Sequence, residues 1–337
     1  MSDQHPDGAD HATPSQPHDP DGTVAPEEPA ALGQQAVSET AAAGTSMSSG
    51  GLWSDAWMEL KSSKIFWVAA VLVTFVLALT FFPGVFATQD PQACSLGRSL
   101  QTPSAEHWFG TDLQGCDYYS RVIFGARNSV AVGVLVVLLF SAIALVFGSL
   151  AGYYGGWVDA LIARATDIIF ALPLVLGGLV LLTVLPGVEI FGYTLSRNVP
   201  TVAVVLGLFA WPAPLRLMRG STLSTAQSDY VQAARALGAN DLRIIRRHVL
   251  PNAITPLLVY ATIGVGLIIV AEAVLTFLGV GLQLPTISWG LMISGARTRF
   301  AQFPHLLLFP GLFLSMTVFA FILMGDALRD AFDPKLR

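Results

Sequence analysis

DYVQAARALGANDLRIIRRHVLPN, residues 229–252, is a polar stretch set between two apolar runs. It carries Arg235, Arg243, Arg246, Arg247 and His248, with Gly238 near its centre. Ser228 or Asp229 can cap a helix start. Ala233, Ala234 and Ala236 then give two turns of high helix propensity and low profile. Gly238 stands where a helix end commonly needs a left-handed residue. Asn240 or Asp241 can cap a second helix, in which Leu242, Ile245 and Val249 form an apolar stripe. Pro251 is expected to reset the chain before the next apolar run. The pattern predicts a helix–turn–helix along a membrane surface. A plain amphipathic connector with snorkelling arginines fits the same pattern.

The surrounding chain explains why such a hinge is conspicuous. Of 337 residues, 53% are hydrophobic and 12% charged, against about 25% charged in soluble domains. Low charge with long apolar runs points to a membrane protein. The net charge of −5 is set by the N-terminal residues: 1–50 hold eight of the 23 acids and no Lys or Arg, leaving 18 bases against 15 acids, a net of +3. Residues 1–60 read as a disordered acidic cytoplasmic tail, since the first 50 contain no aromatic residue to bury. With no basic start and no early apolar core, they do not read as a signal peptide. His5, His11 and His18 lie in the tail and read as solvated residues rather than metal ligands. Cys94 and Cys116 are the two cysteines, too few for a zinc ribbon.

Six apolar segments follow, at about 65–82, 129–152, 161–185, 199–215, 254–280 and 306–325. Each is near the ~20 residues that span a hydrocarbon core. The fold class expected is an all-α polytopic membrane protein. An N-in, C-in orientation puts 12 Lys and Arg inside and six outside, as the positive-inside rule favours. The hinge, taken as 228–252, then faces the cytosol. Residues 83–128 and 281–305 form outer loops, with Trp108, Tyr118 and Tyr119 suited to an interfacial aromatic belt. Ala144, Gly148, Gly152 and Gly156 recur every four residues and make a smooth stripe for close helix packing.

The hinge resembles the EAA loop of ABC importer permeases. That pattern is Glu-Ala-Ala, three residues, Gly, nine residues, Ile, one residue, Leu-Pro. Here it reads Gln232-Ala233-Ala234, then Gly238, His248 and Leu250-Pro251 at the same spacing, with Gln232 for the acid and His248 for the isoleucine. His107-Trp108-Phe109-Gly110-Thr111-Asp112 is similar to the HPFGTD entry of the C-type subunit in dipeptide and oligopeptide permeases, and Ser120-Arg121 and Gly125-Ala126-Arg127 continue it. Residues 152–159, GYYGGWVD, match its turn motif; Glu272 with Thr276-Phe277-Leu278-Gly279 matches E-x-x-LSFLG; Ser288-Trp289-Gly290 matches SWG. Residues 325–331 with Asp333-Pro334 match GDALRDALDP. The resemblance covers about 107–337.

It implies a six-helix type I permease domain over 61–337 in the inner, cytoplasmic membrane of a prokaryote. It implies a heterodimer with a homologous permease, two ATPase subunits carrying ATP and Mg, an extracytoplasmic peptide-binding protein and surrounding lipid. Tyr230, Gln232, Ala233, Ala234, Arg235, Gly238, Leu250 and Pro251 would form the ATPase-coupling surface. No nucleic acid, metal or cofactor is expected on this chain, and no enzymatic activity. Lys61, Lys64 and Lys335 are its lysines, and none follows a glycine as a P-loop requires. Di- or oligopeptides are the expected cargo, with nickel chelate or glutathione as the alternative. A secondary transporter is more distant, since no internal repeat is visible.

Four further residues invite a reading. Cys94 and Cys116 share the first outer loop, where a disulfide is permitted and would add on the order of 3 kcal/mol; two free thiols are the alternative. Cys116 stands where the family usually has arginine. Glu272, an intramembrane carboxylate, either lines the pathway or bonds to a neighbouring helix. Asp167 is one helical step from Arg164 and is expected to pair with it.

Overall fold

A computed structural model describes residues 52–190 and 192–332. The tail histidines and the Asp333-Pro334 match lie outside the described residues. The tail boundary at residue 60 falls inside a helix, α1 (Leu52–Ser62). Ala56 and Leu60 of α1 pack on Ala327 and Ala331 near the other end of the chain. Ser63 then caps the first long apolar helix, α2 (Lys64–Phe81), its Oγ accepting from the Phe66 amide at 3.3 Å.

The connection to α3 (Tyr118–Tyr154) is ordered by polar contacts. Asp117 caps α3, accepting from the Ser120 amide at 2.9 Å, and its other oxygen meets His107 Nδ1 at 2.8 Å. Both side chains are buried, so each supplies the partner that burial demands. Phe109 stacks on Phe309, with ring centroids 3.7 Å apart. Within α3, a π turn spans Ala144–Gly148.

Prolines divide the next two spans. The third apolar run starts earlier than expected, as α4 (Gly156–Phe170), and resumes as α5 (Leu174–Val184) at 76° to it. Pro173 has no N–H to give and crowds the preceding turn, so the break falls there. A small hairpin, β1 (Glu189–Ile190) with β2 (Tyr193–Thr194), pairs Glu189 with Thr194 and Ile190 with Tyr193. The fourth run is α6 (Val199–Ala210), then α7 (Pro212–Ala226) at 49°. It continues well past the expected end at 215, because its later turns are polar and invisible to an apolar count.

After the hinge come α11 (Thr255–Phe277), α12 (Trp289–Ala296) and α13 (His305–Phe332); α8 to α10 lie in the hinge and are described with it below. Among the described residues, four helices are long and apolar enough to cross a membrane, or up to six if each bent pair is one span. The chain is thus an all-α polytopic membrane protein. Its main core lies between α3, α6, α11 and α12, around Phe140, Leu206, Ile269 and Trp289. Trp289 is wholly buried; its Nε1 donates to the Val122 carbonyl at 2.9 Å and its amide to Ser129 Oγ at 3.1 Å. The expected second outer loop therefore contains a helix wedged against α3. Tyr118 also departs from expectation: it is 3% exposed, and its hydroxyl donates to the Leu306 carbonyl at 2.5 Å. It ties α3 to α13 instead of joining an aromatic belt. Trp108, by contrast, is exposed and lies against Tyr119.

The small-residue stripe works as a packing seam for three of its four members. Ala144 is buried, and Gly148 and Gly152 meet α7. Gly156 lies outside the seam, at φ 53° with open space beside it. Substituting Gly152 by Val should lower unfolding stability in detergent by about 1–3 kcal/mol, the usual cost of overpacking. A Cβ there would fall 2.8 Å from that of Thr222. Gly84→Ala, which meets nothing within 4 Å, is the control, with a melting temperature expected to match the parent.

Candidate functional site

The hinge begins where α7 ends. Helix α8 (Asp229–Ala236) has Ser228 at its N-cap position, but the Ser228 hydroxyl donates backwards to the Thr225 carbonyl at 2.6 Å. Its C-terminus closes tightly. The Gly238 amide donates to the Arg235 carbonyl at 3.0 Å and the Ala239 amide to the Ala234 carbonyl at 3.2 Å. These two bonds define a Schellman end, which needs a left-handed residue, and Gly238 supplies it at φ 79°. Nothing lies within 4 Å of where its Cβ would be. The glycine is required by conformation, not by crowding.

Asn240 caps the second helix as one of the two expected residues, its Oδ1 accepting from the Arg243 amide at 2.9 Å. That helix is α9 (Asp241–Ile244), a π turn (Ile245–Val249) and α10 (Leu250–Ala253). The π turn shifts the register, so the expected stripe is wrong at its first member. Leu242 is 63% exposed, and Ile244 is buried with Ile245 and Val249. Pro251 follows the π turn inside this continuous helical stretch and has no N–H to give to the preceding turn. The chain bends after it, at Ile254.

A separate apolar cluster holds the hinge to the helices. Val231 of α8, Ile244 and Val249 pack with Ala144, Leu215, Met218, Ala253 and Leu257. A polar clamp adds to it from the end of α3. The Tyr153 hydroxyl donates to Asp241 Oδ1 at 2.8 Å, and the Arg235 guanidinium lies over the Tyr153 ring at 5.7 Å. Such a cation–π contact contributes about 0.5–1 kcal/mol at an exposed site. Val231 and Tyr153 are thus structural members of the site that spacing did not single out, and Asp241, a candidate cap, serves instead as the acceptor of the clamp. The GYYGG turn motif was the available signal for Tyr153.

With its inner side fixed, α8 turns Tyr230, Gln232, Ala233 and Arg235 outward, and Leu237 follows at 89% exposed. Ala234 is half-buried, and Leu250 likewise, while Pro251 is exposed. An apolar tip on a low-profile helix, rimmed by polar groups, has the chemistry of a docking surface.

The neighbouring charges are arranged across helices. Arg219 of α7 pairs with Asp159 of α4 through both nitrogen ends of its fork. Asp167 does not take Arg164; Arg216 of α7 reaches Asp167 Oδ1 at 2.7 Å. The facing helix offers a direct bond, whereas Arg164 points to the exposed side. Arg216 also covers the Phe170 ring at 4.2 Å. An exposed pair of this kind contributes only about 0–1 kcal/mol.

Glu272 lies far from the hinge and is 0% exposed, its Oε1 accepting from Thr276 Oγ1 at 2.7 Å. Thr276 Oγ1 in turn accepts from the Leu282 amide at 3.1 Å. This network, backed by the buried Ser288, ties the end of α11 to the loop before α12. Cys94 and Cys116 are joined as a disulfide. Among the described residues, no group of three or more His, Cys, Asp or Glu could hold a metal.

Comparisons with known proteins bear on this geometry. Residues 144–337 match the family of binding-protein-dependent transport system inner membrane components. Residues 51–103 match the N-terminal transmembrane domain of oligopeptide transport permease C. The glutathione transport system permease protein GsiD of Pectobacterium atrosepticum is 36% identical over 286 residues, covering 85% of this chain and 92% of that protein. Its counterpart in Escherichia coli O157:H7 is 37% identical, covering 85% and 91%. The dipeptide transport system permease protein DppC of Alkalihalophilus pseudofirmus is 36% identical, covering 85% and 90%. In fold alone, the chain is similar to the MetNI methionine ABC transporter in an inward-facing conformation, with a TM-score of 0.51 at 19% identity over 62% of this chain and 95% of that one.

Two substitutions separate the inner and outer sides of α8. Val231→Ala removes two buried methyl groups and should cost about 1.5–2.5 kcal/mol in unfolding stability. Leu237→Ala, at an exposed position, should change it by less than about 0.5 kcal/mol. Thermal unfolding in detergent reads both; a large loss from Leu237→Ala would mean that its side chain packs on its own chain.

Proposed function

The chain belongs to the binding-protein-dependent transport inner-membrane family, as a C-type permease of the peptide importers, and on that premise we propose that it forms half of the translocation pathway of an ATP-driven importer. It is a multi-pass protein of the inner membrane, and its relatives are permease subunits. Counted with each bent pair as one crossing, it spans the membrane six times, N-in and C-in. The hinge and the end of α13 then share the cytoplasmic face of a permease domain over 61–337.

Helix α8 is the coupling element. The observation that carries this role is its two-sidedness: Val231 is buried behind it while Tyr230, Gln232 and Leu237 stand free in front. A rigid plug of this shape transmits a push into α7 and α10 instead of yielding. Two ATPase subunits would receive the plug and carry out ATP hydrolysis with Mg, which this chain leaves to them. A homologous permease completes the pathway, and an extracytoplasmic binding protein docks on the loops within 83–128 and 281–305. A helix held by one small cluster and one clamp can tilt as a unit when its socket moves.

Cargo is the point where the order of readings changes. The motifs point to di- and oligopeptides, with nickel chelate or glutathione as the alternative. Relatives named for glutathione and for dipeptide transport match the chain over equal lengths at 37% and 36% identity, the glutathione permease slightly ahead. Glutathione is therefore the first cargo to test and short peptides the second. Glu272 is enclosed by its own chain, which supports a structural role for it over contact with cargo.

A mild-detergent pulldown of the tagged chain tests the coupling role. Wild type should bring down a second permease and two ATPase subunits. Gly238→Asp forces a side chain into left-handed backbone and should lose the ATPases while keeping the permease partner. A wild-type chain that purifies alone as a homo-oligomer would move a secondary transporter to the front. Uptake of labelled glutathione against a labelled dipeptide by the assembled importer then orders the two cargoes.

A further inference from the structure

The disulfide in the first outer loop is chemically lopsided. Cys94 is exposed, while Cys116 is 0% exposed. Arg121 Nη1 stands 3.2 Å from Cys116 Sγ and also pairs with Asp112. The Asp112 carboxylate is engaged further, accepting the Cys116 and Gln114 amides at 2.9 Å each. Arg121 Nε is buried and has no hydrogen-bond partner among the described residues. One cysteine is an exposed residue, and the sulfur of the other rests against a guanidinium with donor capacity to spare. The same Asp112, Gln114 and Arg121 line a cavity of about 300 Å³ that opens beside Leu291 and Ser294.

We propose that Cys94 is a reversible modification site for small thiols on the outer side, with Cys116 as the leaving sulfur and Arg121 as its receiver. In the exchange, the thiolate sulfur of the incoming molecule bonds to Cys94 Sγ. The Cys94–Cys116 bond breaks, and its electron pair leaves on Cys116 Sγ. The thiol's proton has already gone to solvent, and the Cys116 thiolate is held by Arg121. One disulfide is consumed and one formed, so no oxidant or reductant beyond the thiol is needed. Attack in this direction is favoured because Cys94 is reachable and because a nearby cation stabilises the departing thiolate. Asp112, paired with the same guanidinium, opposes that stabilisation in part.

Hydrogen bonds also cross the loop beside the bridge. The Ser95 amide donates to the Gly115 carbonyl at 3.3 Å, and the Leu100 amide to the Asp112 carbonyl at 3.0 Å. The Thr111 amide donates to the Gln101 carbonyl at 3.0 Å, and the Thr111 hydroxyl to the Arg98 carbonyl. These bonds keep the two sulfurs close after exchange, so that Cys116 can expel the adduct and restore the bridge. The inference rests on the proposed topology for the side of the membrane, and on the proposed cargo only in making glutathione the first thiol to try.

The test uses the full-length chain in lipid nanodiscs, with its disulfide intact. Reduced glutathione and, separately, free cysteine are added, the reaction is stopped with N-ethylmaleimide, and peptides are mapped by mass. The adduct should lie on Cys94 and the maleimide on Cys116, with Cys94 favoured roughly tenfold as expected when access selects the sulfur. Arg121→Gln should slow exchange by about tenfold, and Arg121→Lys, which keeps the charge, should retain most of the rate. Adduct on Cys116 at equal or greater yield would overturn the proposal. So would a folded chain that resists both thiols while the denatured chain reacts. Failure of glutathione uptake in a separate transport assay would overturn the cargo reading and leave this site standing.

Discussion

The close approach of α3 and α7 is the contact on which the functional end depends. In hydrocarbon there is little hydrophobic force between helices, so association relies on packing and on small residues that let backbones meet. Gly148 and Gly152 provide that approach, with the α7 carbonyls of Leu215 and Arg219 directly over them. The contact brings Ala144, Leu215 and Met218 together, and these residues form the floor on which Val231, Ile244 and Val249 sit. It also places Tyr153, one residue past Gly152, within reach of Asp241. A hinge that looks like a surface loop is therefore seated on a membrane helix pair.

The opposite end is held by different means. There the bonds are polar and long-range: Tyr118 to Leu306, Trp289 to Val122, Asn128 to Ile287. Each sets a side-chain donor against a backbone carbonyl of a distant segment, which gives the donor the partner that burial demands. The Glu272–Thr276 pair adds a carboxylate to this scheme. The two ends differ in stiffness as a result. One end is cross-braced through several helices, while the other carries a single small platform.

Much of this was legible in the sequence where the governing physics is local. Gly238 could be placed because a Schellman end has one stereochemical solution. The six apolar runs could be placed because span length is fixed by bilayer thickness. Legibility failed where a one-dimensional pattern meets a cross-helix choice. Arg164 has the right spacing for Asp167, yet Arg216 arrives from another helix with a better approach. The stripe through Leu242 assumed an even 3.6-residue period, and the π turn at Ile245–Val249 inserts an extra residue into that count. Pro173 and Pro212 were visible, but an apolar run does not reveal that the chain bends at a proline and continues. Tyr118 read as an interfacial aromatic because its partner lies 188 residues away. Cargo has no local signature of this kind, and it entered through the resemblance of motifs and then through relatives.

The seat of α1 bears on how the chain is made. Ala56 and Leu60 of α1 are synthesised well before their partners Ala327 and Ala331 of α13. Until α13 is made, this seat for α1 does not exist. Docking on it is therefore a late step of folding, after α13 is in place. A substitution at Ala327 or Ala331 acts first on a helix far earlier in the chain.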